Sequence, residues 1–398
     1  MNQGGMAGLL FIAILVMIGL YLMTSFPARG PGNGLRTAIA MSEAKDALIG
    51  RAVQDPNRPG SLPCPDTDGD GVAELFAGGE CPAYVGRLPW KTLDLPDLRD
   101  DAGETLWYAL SRNFRDHPSA QPINSDTAGN LAVYASDGAT LVAADAAAIV
   151  FAPGAALAGQ SRGGTVSSCP AYGKSVAQNL CPGNYLDSLN CPGAACRSNA
   201  TGPFVTGPVS GSVNDLLLVI RARDIVPPVE KYVAANLLSW LQTYHALNHA
   251  YPYPARYDHC DGEHCDGDET VCRGRIPLTD PAFPDKHGNP APLPWPDWFV
   301  NNQWYREIYY SVGAAALVSA ENLAAPACAS SLSLSGNAVD MVFFTPGTPV
   351  GSISRPSNVL SDYLEDAENQ DGWGAGANDL YVVPTSTLND RDRVYRLP

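Results

Sequence analysis

The chain has 398 residues, a formal net charge of −16 and ten cysteines, and 45 % of it is hydrophobic. The acidic balance excludes a nucleic-acid or anionic-surface binder, since both need basic patches. The apolar fraction excludes a disordered tail; the length predicts two to three domains, and the 38 Gly and 34 Pro predict loops and short strands within them.

Met6 to Phe26 is a run of 21 residues without a charged side chain. As a helix it would span roughly 31 Å, the thickness of a bilayer core. The five residues before it, Met-Asn-Gln-Gly-Gly, carry no basic side chain, which fits a cleaved secretory signal poorly. A plain signal anchor fits better but leaves Gly4-Gly5 unused. The stretch resembles the N-terminus of type IV pilins and type II secretion pseudopilins, in which a prepilin peptidase cuts after a Gly just before the apolar helix. That resemblance implies cleavage between Gly5 and Met6 and a kink near Pro27. Leu10 stands where most of the family has Glu, as in minor tip components, and the usual basic residues before the Gly are absent. The resemblance also implies a single-pass inner-membrane protein with its heads in the periplasm or on the cell surface. Its implied partners are the membrane, the peptidase and other pilin or pseudopilin subunits, with no nucleic acid.

Phe26 to Gly34 is a run of helix breakers. Leu35 to Gln54 then predicts a helix, with Ala38, Met41, Ala44, Leu48 and Ala52 at three- and four-residue spacing. Turn signals and short apolar runs follow. Leu131–Tyr134, Ala147–Phe151 and Asp215–Arg221 read as strands, and Gly154–Gly211 as a Gly- and Cys-rich loop. Val229 to Ala250 predicts a second amphipathic helix, opened by Pro227-Pro228 and lined by Val233, Leu237, Trp240, Tyr244 and Leu247.

The two stretches share an ordered set of matches. Leu62-Pro-Cys-Pro65 answers Tyr251-Pro-Tyr-Pro254, and Arg87-Leu-Pro89 answers Arg275-Ile-Pro277. Trp107-Tyr108 answers Trp304-Tyr305, and Ile149–Gly154 answers Val342–Gly347, with Arg162 and Arg355 eight residues later. Asn184–Asp187 answers Asn358–Ser361, and Asn214–Val219 answers Asn378–Val383. This order predicts an internal duplication. The expected architecture is α+β: a leader and transmembrane helix (1–28), a first pilin-like head with its stalk helix (29–225), and a second head (226–398) as its diverged copy. Each head would be a helix packed on a short-stranded antiparallel sheet.

Ten cysteines, all after the apolar stretch, predict disulfides in an oxidising compartment. Cys64 is expected to pair with Cys81, Cys169 with Cys181 and Cys191 with Cys196; Cys260, Cys265, Cys272 and Cys328 stay unassigned. Asp66, Asp68, Asp70 and Glu74 have the spacing of the opening of a calcium loop, although Ala77 stands where a bidentate Glu belongs. The same residues also suit an Asp/Gly turn. The stretch Asp258–Cys272 reads as a disulfide loop, with calcium or zinc as alternatives. His245 and His249 have zincin spacing but lack the Glu that would act as base. Gly159-Gln-Ser-Arg-Gly163 matches a nucleophile elbow without a following helix. No enzyme is expected. The favoured function is a minor structural subunit of an envelope filament or secretion apparatus. The alternatives are an anchored calcium-binding surface or adhesion protein and, remotely, an anchored hydrolase.

Overall fold

The computed structural model describes residues 34–119, 121–189, 196–260, 264–284, 290–317, 328–351, 353–357, 359–370, 378–384 and 392–397. Helix α1 spans Leu35–Gln54 and buries Ala40, Met41, Ala44, Leu48 and Ala52. Four of those five carry small or unbranched side chains, which lets neighbours approach closely. Helix α2 spans Ala222–Asn248. It begins ahead of Pro227-Pro228, which were expected to open it. The start is fixed instead by Asp224, whose carboxylate accepts the Arg221 amide at 2.8 Å and pairs with Lys45 of α1, also at 2.8 Å. Burial of Ile225 and Val226 in this first turn offsets the hydrogen bonds that the prolines cannot donate. On α2, Leu241 is buried and Leu247 is exposed, so the apolar stripe turns away from Leu247 at the last turn.

The larger sheet holds β1 (Val85–Arg87), β2 (Trp107–Leu110), β3 (Leu131–Ala135), β4 (Leu141–Ala152), β5 (Phe204–Thr206) and β6 (Leu216–Arg221). Its order is β1-β2-β4-β3-β5, and β6 pairs with the second part of the long β4. The second sheet holds β7 (Arg273–Arg275), β8 (Tyr309–Val312), β9 (Met341–Thr345) and β10 (Arg393–Leu397), in the order β10-β9-β8-β7. Three small sheets complete the described strands: a hairpin of Val166–Cys169 and Lys174–Ala177, a ribbon of Thr279–Pro284 and Pro290–Pro292, and a trio of Leu332–Leu334, Asn337–Val339 and Leu380–Tyr381. Short helices α3 (Asp297–Asn301), α4 (Trp304–Glu307) and α5 (Ala367–Gln370) lie in the second half.

The path β1-β2-β4-β6 and the path β7-β8-β9-β10 share order, antiparallel sense and register. Arg87 faces Trp107, Trp107 faces Phe151 and Phe151 faces Leu217. Arg275 faces Tyr309, Tyr309 faces Phe344 and Phe344 faces Val394. The wiring around the sheets repeats as well. The Leu62 amide donates to the Phe114 carbonyl at 2.7 Å, and the Tyr251 amide donates to the Ala316 carbonyl at 2.8 Å. Asp66 and Arg87 exchange two backbone bonds, as do Ala255 and Arg275.

Several expectations are corrected. Among the described residues no helix is long and apolar enough to cross a membrane. That overturns the transmembrane helix of the expected fold and the single-pass inner-membrane placement built on it; Met6–Phe26, where the span was expected, lies outside the described residues. The chain is mixed α+β with several small sheets, and its halves are not tandem heads. Both helices, the inner face of β2 (Tyr108, Leu110) and the inner faces of β8 and β9 (Tyr310, Phe343) belong to one continuous core. Each sheet has a separate cluster on its other face, around Trp107 and Phe151 in one and Tyr309 and Phe344 in the other. Period-2 side chains buried on both faces explain the continuous apolar strands. Three of the sequence matches were misaligned. Trp304-Tyr305 forms α4, and Tyr309-Tyr310 takes the place of Trp107-Tyr108. Tyr363, not the Asn358 stretch, answers Tyr185. Leu380–Tyr381 pairs in parallel with Leu332–Leu334, leaving Arg393–Leu397 to answer β6.

Candidate functional site

Asp66, Asp68 and Glu74 bring carboxylate oxygens within 4.8 Å of one another; Asp70 is not in the group. The loop is closed by its own amides. Asp66 Oδ1 accepts from the Asp68 and Gly69 amides at 3.1 and 2.6 Å, and its Oδ2 accepts from Gly71 at 2.8 Å. Asp68 accepts from Asp70 and Asp70 from Val72. Glu74 Oε1 accepts the Thr67 amide at 3.0 Å and the Thr67 hydroxyl. This ladder of Asx bonds is the turn chemistry that the Asp/Gly spacing also predicts. Burial pushes the Asp66 carboxyl above its ordinary range, against the pull of the Gly69 and Gly71 amides. Three convergent carboxylates match the hard-oxygen donors calcium takes, but both acceptor positions of Asp66 Oδ1 are used by backbone.

The other sequence candidates are resolved by their bonding. Cys64 is joined to Cys81, Cys169 to Cys181, Cys260 to Cys265 and Cys272 to Cys328. Cys260, Cys265 and Cys272 are therefore not thiolates, which removes the zinc alternative. Cys191, the expected partner of Cys196, lies outside the described residues, as do Gly5 and Met6. His245 stacks on Tyr251 at 4.6 Å between ring centroids, and His249 ends α2 in the left-handed conformation. Ser161 donates to the Gln178 amide oxygen at 2.9 Å and Arg162 pairs with Glu104 at 3.1 Å, so among the described residues the serine's partner is an amide and not a base.

A larger polar feature was not visible in the sequence. In each half a tyrosine ring is flanked by two arginines. Arg87 and Arg162 lie over Tyr185 at 5.9 and 4.8 Å, while Arg275 and Arg355 lie over Tyr363 at 4.2 and 4.8 Å. Each tyrosine follows a single helical turn in which its amide, and that of the following Leu, bond back to one carbonyl: that of Pro182 in the first half and of Leu360 in the second. The next residue, Asp187 or Glu365, donates its amide to Asp215 or Asp392, at 2.8 Å in both.

In the first half the stack is capped by the chain's own loop, since Arg87 donates to the Asn179 carbonyl at 2.7 Å. In the second half it is sealed by a loop from the first. Asp126 lies 3.6 Å from Arg355, whose side chain is 0 % exposed, and Glu307 sits beside Asp126. Burial pushes both carboxyls up, the Glu307 carboxyl well above its usual range, with the neighbouring Asp126 charge adding to it. Two acids, two arginines and a tyrosine thus close a buried network at the seam between the halves. It is wired as a structural junction. Among the described residues, none of these groups forms a nucleophile–base pair.

The wider comparisons add no relative. No family model, no curated protein and no solved structure matches this chain.

Proposed function

We propose that the chain is a minor pilin- or pseudopilin-like structural subunit of a bacterial envelope filament or secretion apparatus. The observation that carries the reading is the way α1 enters the body. Leu35 and Ile39 are 61 % and 49 % exposed, whereas Ala44 and Leu48 deeper in the same helix are fully buried. The helix thus presents apolar side chains to the outside, at the end of α1 nearest in sequence to the uncharged Met6–Phe26 stretch, beside an open groove of about 440 Å³ next to Leu98. Four disulfides support assembly in an oxidising compartment. The partners in this reading are other pilin or pseudopilin subunits, and the processing enzyme is a prepilin peptidase. The test is N-terminal sequencing of the mature protein. A chain beginning at Met6 is expected, and an intact Met1 overturns the reading.

The second reading is a calcium-binding surface protein that never polymerises. It is favoured by the convergence of Asp66, Asp68 and Glu74. Calcium at about 1 mM would then raise the melting temperature of the natural chain and not that of Asp68→Asn. An unchanged natural chain sinks it.

A further inference from the structure

We propose that residues 121–127 form a pH-released clasp, a loop of the first half that is held in the second half through the carboxyl of Glu230. The chain stays tied to the first half as far as Gln121, whose carbonyl accepts from Arg58, and it returns to that half at β3. Between these points Thr127 bonds within the loop, to Pro122 and Asn124, while Ile123, Asn124, Ser125 and Asp126 reach across the seam. The Ile123 amide donates to Asn302 Oδ1 at 3.1 Å, and Asn124 Nδ2 donates to the Asn302 carbonyl at 3.0 Å. Ser125 Oγ donates to Glu230 Oε1 at 2.5 Å. Asp126 faces Arg355.

Glu230, on α2, is 1 % exposed. Its Oε1 also accepts the Gly347 amide at 2.9 Å, which ties the end of β9 to the same carboxyl. Its Oε2 is buried with no hydrogen-bond partner among the described residues. An ionised carboxylate would leave that second oxygen dry, and this costs more than leaving a neutral acid there. The groups that face Glu230 are Arg393 and Tyr395 of β10 and Arg355 of the segment 353–357. Around Asp126 stand Glu307 and Arg306 of α4, Arg275 of β7 and Arg355. None of these cations donates a hydrogen bond to Glu230, so their attraction only partly offsets its burial.

The consequence is a proton-coupled opening. Burial pushes Glu230 from its ordinary 4.5 up to about 7. When the clasp opens, the carboxyl meets water and titrates at its ordinary value. Between these two values each pH unit favours the open form about tenfold, and about 300-fold accumulates across the interval. Below the interval the clasp is closed at full strength, and above about 7 no further loosening occurs.

Amide hydrogen exchange on the full chain, read by mass spectrometry from pH 5 to 9 and corrected for the intrinsic chemical rate, tests this. Protection of 121–127 and of Gly347 is expected to fall about tenfold per pH unit up to pH 7 and then level off. Glu230→Gln keeps a neutral, hydrogen-bonding side chain, and the slope should vanish. Ser125→Ala should lower protection of the loop at every pH and keep the slope. A pH-independent loop in the natural chain overturns the proposal. So does a slope that survives in Glu230→Gln, which would assign the titration to Asp126 and Glu307.

Discussion

A Cβ on Gly274 would stand 1.8 Å from the Ala255 carbonyl oxygen, and one on Gly86 would stand 2.5 Å from that of Asp66. The two glycines occupy the same place, in the centre of β1 and β7, where a second backbone segment crosses and exchanges hydrogen bonds with the strand. Only a residue without a side chain lets the crossing approach that closely. Gly274→Ala must push backbone rather than a flexible side chain, so it is expected to cost roughly 3 kcal/mol, at the top of the overpacking range. Urea unfolding monitored by tryptophan fluorescence measures it, and a loss below about 1 kcal/mol would show that the crossing yields. The same residue scale explains the Asp66 loop. Its composition is legible as turn or metal chemistry, and only the direction of the amides distinguishes them.

At the scale of elements, the disulfides close loops of different length beside the strands. Cys64–Cys81 closes 17 residues in front of β1, and Cys272–Cys328 closes 56 residues from the edge of β7. On the chain-entropy account, loops of these sizes contribute about 3 and about 4 kcal/mol. Replacing both cysteines of a pair by serine should therefore lower stability in that order, the second pair costing more. Equal losses, or the reverse ranking, would mean that native packing around the bridges outweighs loop closure. Helix α2 teaches a related lesson. Two prolines inside its first two turns are tolerated because the Asp224 carboxylate accepts the Arg221 amide at the start and Val226 and Val229 are buried beneath it.

For the whole molecule the dominant electrostatic fact is burial of acids at the seam and under the sheets. Glu230, Asp126, Glu307, Asp215 and Asp280 are all held above the ordinary carboxyl range, with desolvation as the largest cause in each. A carboxyl raised on folding contributes stability that is complete below its unfolded value and is lost as pH climbs through its folded value. For Glu230 that window runs from 4.5 to about 7, and the loss across it is roughly 3 kcal/mol. The other raised acids act in the same direction, and so does self-repulsion of a chain with a net charge of −16. Unfolding free energies should therefore be higher at pH 5 than at pH 8, and Glu230→Gln should narrow the difference. A stability that rises over this range would contradict the assignment of these groups as buried acids.

The sequence by itself determined helix α1 to the residue, because small apolar side chains at helical spacing between two breakers leave no other solution. It determined the class, mixed α+β, and the strands around 131–134, 147–151 and 215–221, because apolar runs bounded by turns have one extended reading. It also revealed the recurrence of Pro-x-Pro, Arg-x-Pro and Phe-x-Pro-Gly steps, since those residues are demanded by local backbone geometry. What only the tertiary structure decided was which repeats align. Asn-Asp-Leu occurs at 214 and at 378, yet strand pairing places Arg393–Leu397, whose sequence bears no such mark, beside β9. The tertiary structure also decided that the halves share one core and that residues 121–127 cross between them. Asp126 meets Arg355 and Ser125 meets Glu230 across more than a hundred residues, and such contacts leave no periodic trace in a chain read locally.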